Sequence, residues 1–308
     1  MAFDKEVLQK QILDLKKEKD AVILAHYYVP AEVQEIADYT GDSFFLAKKA
    51  KELPNQVLIL CGVNFMGESA KMLNPTKTVL MPDMTADCPM AHMVTKETID
   101  AARANYDDLA VVCYINSTAE VKSWSDVCVT SANAVKVVSE LTQKNILFIP
   151  DRNLAHFVAA HCPDKNFIYN EGFCPRHELM SATEIEALKK EHPDAPVLAH
   201  PECNGDLLKL ADHIASTSGI IKYATESDKK EFIIATEIGV HYALKQARPD
   251  ATFYFTPTEP VCINMKKVTL EKVLHVLETG ENEMAMPAAD IVSQATHTLD
   301  EMLTLAAR

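Results

Sequence analysis

The sequence predicts an α/β protein built as three similar αβα sandwich domains with short parallel sheets, in a pseudo-threefold arrangement around a central site. Three observations predict it. Cys88, Cys174 and Cys262 recur at intervals of 174 − 88 = 86 and 262 − 174 = 88 residues. His26, Tyr114 and His200 close apolar runs (AVILAHYY, LAVVCYIN, APVLAHPE) at spacings of 88 and 86. Tyr28, Asn116 and Glu202, and then Ser43, Ser131 and Thr217, follow at the same spacings. Within each copy, short β-rich runs alternate with helical stretches, the pattern of parallel strands joined by crossover helices.

The elements follow in order. MAFDKEVLQKQILDLKKEKD sets Val7, Leu8, Ile12 and Leu15 at helical spacing among charges and reads as a surface helix. It has no apolar stretch or small-residue cleavage site of a secretion signal. The first copy carries strands near 21–27, 57–61 and 78–82 and helical pattern over 31–39, 43–53 and 65–73. The second carries strands near 109–115, 146–150 and 166–169, the third near 196–199, 232–236 and 252–255. A shorter run supplies a fourth strand in the later copies, at 127–130 and 214–217. Strands this short and continuously apolar belong to sheets covered on both faces. Charged helical pattern places the boundaries near 100 and 188, giving domains 1–100, 101–187 and 188–287. The amphipathic tail 288–308 reads as a closing helix. No Gly/Ser linker separates the copies, so the units pack tightly.

The formal charge is −14, from 44 acidic and 30 basic residues. That opposes binding to nucleic acid, whose affinity comes from neutralising phosphates with Lys and Arg, and opposes attraction to acidic membranes. No apolar run approaches the ~20 residues of a membrane span. The expected setting is cytoplasmic, where eight cysteines do not make a disulfide framework. C-x-x-C, H-E-x-x-H, Walker A and G-x-G-x-x-G motifs are all missing.

Ligands of open parallel sheets bind beyond the carboxyl ends of the strands, where the recurring polar residues sit. Residues two apart on a strand share a direction, so His26 with Tyr28, Tyr114 with Asn116, and His200 with Glu202 can line one cavity. Ser43, Ser131 and Thr217 are expected to begin helices, whose free N–H groups hold carboxylates or phosphate. Cys61, Cys113, Cys128, Cys162 and Cys203 read as buried structural thiols. Cys88, Cys174 and Cys262 each follow the last strand of a copy, in a loop. Three thiolates from three domains suit zinc, with His177 as a fourth ligand, or an iron–sulfur cube that keeps one iron open.

The chain resembles the quinolinate synthase family. The resemblance is carried by AHYY at 25–28, GDS at 41–43, CGVNFMGESAKML at 61–73, VLMPDMTADCPMA at 79–91 and YINSTAEVKSWSD at 114–126. It continues through VTSANA at 129–134, DRNL at 151–154, GFCPRHE at 172–178, HPEC at 200–203 and CINMKKVTLEKVLHVLE at 262–278. It implies condensation of iminoaspartate with dihydroxyacetone phosphate to quinolinate, for de novo NAD biosynthesis. It further implies a central [4Fe–4S] cluster on Cys88, Cys174 and Cys262, and coupling to an enzyme that oxidises L-aspartate. The implied substrate-binding positions are His26, Ser43, Tyr114, Ile115, Asn116, Ser131, His177, His200, Pro201, Glu202 and Thr217. The implied catalytic set is Tyr28, Tyr114, His200 and Glu202, with Glu202 as base and Tyr28 as acid or relay. Val29, Pro89, Ala155 and Arg176 depart from the family's usual residues. The rivals are another trilobed three-cysteine cluster enzyme, a reductive dehydroxylase or a diphthamide-type enzyme, and a non-catalytic iron–sulfur sensor.

Overall fold

The computed structural model describes residues 5–307. Helix α1 (Lys5–Glu18) buries Leu8 and Ile12 and turns its charges outward; Val7, at 48% exposure, lies off that stripe. The first unit then runs β1 (Ala21–His26), α2 (Ala31–Glu35), β2 (Tyr39–Gly41), α3 (Ser43–Glu52), β3 (Val57–Cys61), α4 (Asn64–Leu73) and β4 (Thr78–Leu80). The second runs α5 (Lys96–Asn105), β5 (Leu109–Tyr114), α6 (Ala119–Ser123), β6 (Val127–Val129), α7 (Ala134–Glu140), β7 (Asn145–Ile149), α8 (Arg152–His161), β8 (Asn166–Tyr169) and α9 (Pro175–Glu178). The third runs α10 (Ala182–Glu191), β9 (Val197–Ala199), α11 (Gly205–Leu208), β10 (His213–Ile214), α12 (Thr217–Glu226), β11 (Glu231–Ala235), α13 (Val240–Ala247) and β12 (Thr252–Tyr254). Helices α14 (Leu270–Thr279) and α15 (Ala289–Ala307) close the chain.

Each unit holds one four-stranded sheet, every pairing parallel. The orders are β2-β1-β3-β4, β6-β5-β7-β8 and β10-β9-β11-β12. The strand order reverses between the first and third strands of each unit, and a crevice opens there beyond the carboxyl ends. β1 is buried along its whole length, as a sheet sandwiched between helices requires.

Two segments differ from the sequence reading. The helix expected over 31–39 stops at Glu35, and the first unit's fourth strand follows at Tyr39–Gly41. Asp38 supports the turn by accepting the Ile23 N–H at 2.8 Å. The run 214–217 is a strand only at its start, because Ser216 accepts the Gly219 N–H and caps α12.

The apolar packing divides unevenly. The first two units share one continuous core, joined by Val268, Val273 and Val276 and by Ala295, Leu299 and Met302 of α15. The third unit packs around two cores of its own, one on each face of its sheet. α14 lies on α1, and α15 lies on α6, β6 and α4. Gly280 ends α14 at φ 72°, the left-handed conformation that glycine adopts without strain.

Candidate active site

The three crevices face one cavity of about 120 Å³. Its wall carries His26, Tyr28, Ser43, Tyr114, Ile115, Asn116, Ser131, His177, His200, Glu202 and Thr217, together with Cys88, Cys174 and Cys262. Every site residue expected from the sequence therefore reaches the wall except Pro201, which is buried between His200 and Glu202. The five cysteines read as structural are buried away from it.

Local geometry explains the placement. Ser43 and Thr217 open helices, but the caps are the preceding residues, Asp42 and Ser216. Both hydroxyls are thereby released from capping, and Thr217 Oγ1 lies 2.8 Å from the Tyr28 hydroxyl. Ser131 does not begin a helix. It sits in a turn three residues ahead of α7, pinned where the Thr130 N–H donates to Asn133 Oδ1, and reaches His200 Nε2 at 3.2 Å. His26 and His200 use Nδ1 identically, accepting the N–H two residues on, from Tyr28 (3.1 Å) and Glu202 (3.3 Å). A neutral imidazole accepting at Nδ1 carries its proton on Nε2. Burial holds both rings neutral, with pKa values pushed down to about 3.

A chain of hydrogen bonds crosses all three units. Glu202 Oε2 lies 2.7 Å from His177 Nδ1, and His177 Nε2 lies 2.9 Å from Thr236 Oγ1. Thr236 Oγ1 lies 2.8 Å from the Tyr28 hydroxyl. Hydroxyl, imidazole and carboxylate stand in the order of a hydrolase triad, with a tyrosine added at the hydroxyl end. Burial works against the Glu202 charge, but His200, His177 and the hydrogen bonds from His177 and Tyr114 oppose it and lower the carboxyl below its ordinary range. Burial, then the Glu202 charge, raises Tyr28 and Tyr114 well above the ordinary phenol range. Asn116 Oδ1 is buried without a partner, an acceptor left open on the wall. Arg176 is the one lysine or arginine on that wall among the described residues.

The three thiols share a design. Each is unpaired and lies five or eight residues past the last strand of its unit (174 − 169, 88 − 80 and 262 − 254). Each sulfur accepts backbone N–H groups two or three residues ahead: Met90 and Ala91 for Cys88, His177 for Cys174, Asn264 and Met265 for Cys262. Burial, and then Cys262, push Cys88 up to about 12; burial, Glu202 and Cys88 raise Cys174 as well. Such thiols stay protonated until a positive centre takes them. Three soft donors on one wall, with Cys88 near enough to Cys262 and Cys174 to interact with each, and faced by N–H groups that favour thiolate, fit a bound metal group. Cys174 Sγ, a nitrogen of His177 and an oxygen of Glu202 also lie within 4.8 Å of one another. His177 meets Glu202 and Thr236 with its two nitrogens, and Nδ1 also lies 3.3 Å from Cys174 Sγ, which leaves the thiols as the more available donors.

Sequence reasoning missed three polar residues of this site. Asp151 Oδ2 accepts the Cys174 N–H at 3.1 Å, and Glu237 Oε1 accepts the Cys262 N–H at 2.9 Å. Thr236 completes the triad. The signal was present: Val63, Asp151 and Glu237, like Gly62, Pro150 and Thr236, are spaced 88 and 86. The first copy holds apolar residues there, so no chemistry recurs to mark the position.

The family described as "Quinolinate synthetase A protein" matches residues 10–304. A quinolinate synthase of Fusobacterium nucleatum subsp. nucleatum is 52% identical over 299 residues, covering 97% of this chain and 99% of that relative. One of Clostridioides difficile is 48% identical over 304 residues, covering 99% of each. One of Caldicellulosiruptor bescii is 47% identical over 300 residues, covering 97% of this chain and 99% of that relative.

Proposed function

The chain belongs to the quinolinate synthetase A family and serves NAD biosynthesis by making quinolinate; from that premise we propose that it condenses iminoaspartate with dihydroxyacetone phosphate in this cavity. The two carbon skeletons sum to that of quinolinate, and loss of phosphate and two waters balances the reaction. The observation that carries the reading is the meeting of three thiols and a hydroxyl–imidazole–carboxylate chain on one wall. The family match over the full chain does not favour the other three-thiolate enzymes or a sensor.

A [4Fe–4S] cluster on Cys88, Cys174 and Cys262 would supply, when bound, an iron with an open position that polarises a substrate oxygen. The rest of the work falls to side chains. Enolisation and dehydration need a proton acceptor and a donor at fixed positions. His177 takes the proton passed along Thr236 and Tyr28, and Glu202 stays ionised to stabilise the imidazolium. The 2.7 Å contact with His177 Nδ1 suits Glu202 to orient that ring, and its carboxylate stays the candidate base for a substrate proton. Tyr28 returns the proton to the departing oxygen. His26 presents its Nε2–H, and the His200–Ser131 pair a hydroxyl, to substrate carboxylates or phosphate, beside Ser43 and the N–H groups that open α3 and α12. Asn116 Oδ1 accepts from the imine or amine nitrogen. Arg176 gives the anionic substrates a positive contact on an acidic molecule.

Iminoaspartate is a hydrolysable imine, so its supply falls to a cytoplasmic enzyme that oxidises L-aspartate. Among the described residues no helix is long and apolar enough to cross a membrane. The test is anaerobic protein, reconstituted with iron and sulfide, given iminoaspartate and dihydroxyacetone phosphate. Quinolinate should form; Cys174→Ser should lose both iron and product, and Cys61→Ser should lose neither. Undiminished turnover by Cys174→Ser would refute the ligand assignment.

A further inference from the structure

Tyr28 belongs to the first unit, yet residues outside that unit hold it at both ends. Its hydroxyl lies 2.8 Å from Thr217 and from Thr236, both of the third unit. Its carbonyl accepts from Lys266 Nζ at 2.5 Å. Lys266 also lies 2.7 Å from Glu237 Oε1, and Glu237 is 1% exposed. Glu237 in turn accepts the N–H of Cys262 at 2.9 Å and of Gly239 at 2.6 Å.

Nearby residues are shaped around this pair. A Cβ on Gly239 would come within 2.7 Å of Glu237 Oε2, 2.8 Å of Lys266 Nζ and 2.8 Å of the Tyr27 carbonyl oxygen, so a side chain there would displace the ion pair or the Tyr27 backbone. Gln34 Nε2 donates to the carbonyls of Tyr27, Val29 and Gly239 at 2.8–3.0 Å and fastens the same turn from the first unit. The Cys262 loop and the turn bearing Tyr28 are thus joined through one buried carboxylate and one ammonium.

We propose that Glu237 and Lys266 are positioning residues that fix Tyr28 to the Cys262 loop, so that ordering of that loop by its metal group also sets the catalytic hydroxyl in place. The proposal rests on the roles given above to Tyr28 and Cys262. Removing one partner would strand a buried charge, so the informative variant neutralises both: Glu237→Gln with Lys266→Met. It is measured alongside Lys266→Met alone.

Hydrogen exchange at the Tyr27–Val29 amides, before and after loading with iron and sulfide, reads the coupling without reference to turnover. Loading wild-type protein should slow exchange there roughly tenfold or more. In the double variant that slowing should vanish while iron content stays within about twofold of wild type. Its kcat should fall about 10- to 100-fold with KM changed less than about threefold, the pattern of lost placement rather than lost binding. If the double variant loads iron normally and keeps either wild-type slowing or wild-type kcat, the proposal is overturned. Should Lys266→Met alone fail to fold, the charge-free pair still decides. If wild-type protein makes no quinolinate, the reading of the reaction fails, and the exchange measurement still judges the positioning.

Discussion

Glu202 and Thr236 show how one residue's surroundings decide its task. Glu202 is among the most buried carboxylates of the chain, yet three polar neighbours, His200, His177 and Tyr114, favour its charged form. Thr236 is fully buried, and its hydroxyl touches both Tyr28 and His177. Replacing it with valine keeps the volume and removes the link. Thr236→Val and Glu202→Gln should both retain iron and lower kcat by roughly 10²- to 10⁴-fold, the usual range for one acid–base group. Steady-state kinetics with iron analysis checks this; a Thr236→Val enzyme at wild-type rate would break the chain. Glu202 was legible in the sequence because Tyr28 and Asn116 recur in phase with it. Thr236 was not, because Gly62 and Pro150 stand at the matching positions and neither carries a side-chain donor or acceptor.

At the scale of elements, each loop past a last strand presents a sulfur to N–H groups of the turn after it. The metal-free thiols sit above their ordinary range: Cys88 at about 12 through burial and Cys262, Cys174 and Cys262 raised chiefly by burial. They are therefore protonated at neutral pH, and loading a metal group must expel those protons. Loading should strengthen as pH rises, by up to about tenfold per unit for each thiol that ionises. Cobalt titrations followed by thiolate absorption between about pH 6.5 and 8.5 test it; a loading constant flat in pH would contradict it. The cysteine loops were legible because they recur without exception. β2 was not, since Tyr39–Gly41 is three residues with a glycine and lacks an apolar run. Ser131 was misread for a related reason: the Asn133 side chain turns the chain before α7 can start, and spacing carries no record of a local hydrogen bond.

The whole molecule is less symmetric than its repeat. The first two units share a core that α15 closes, whereas the third keeps its own pair of cores. Polar contacts, not a common apolar interior, carry the third unit's links to Tyr28 and Ser131. Separate cores unfold separately unless their interface is strong. Metal-free protein should melt in two steps. Trp124, the only tryptophan, reports on the second unit, so its fluorescence should not coincide with far-ultraviolet dichroism across a urea titration; coincident curves would show that the polar interface suffices for one cooperative unit. The threefold repeat was visible in the sequence. The merged core was not, because α14 and α15 lie far along the chain from the strands and helices they cover.

The grip on Tyr28 from beyond its own unit has a consequence for fidelity. Should the third lobe part from the first to admit or release small molecules, the phenol loses both partners of its hydroxyl, Thr217 and Thr236. An ajar enzyme is then a disarmed one, and a fragile imine meets proton-transfer machinery only after the door has shut behind it.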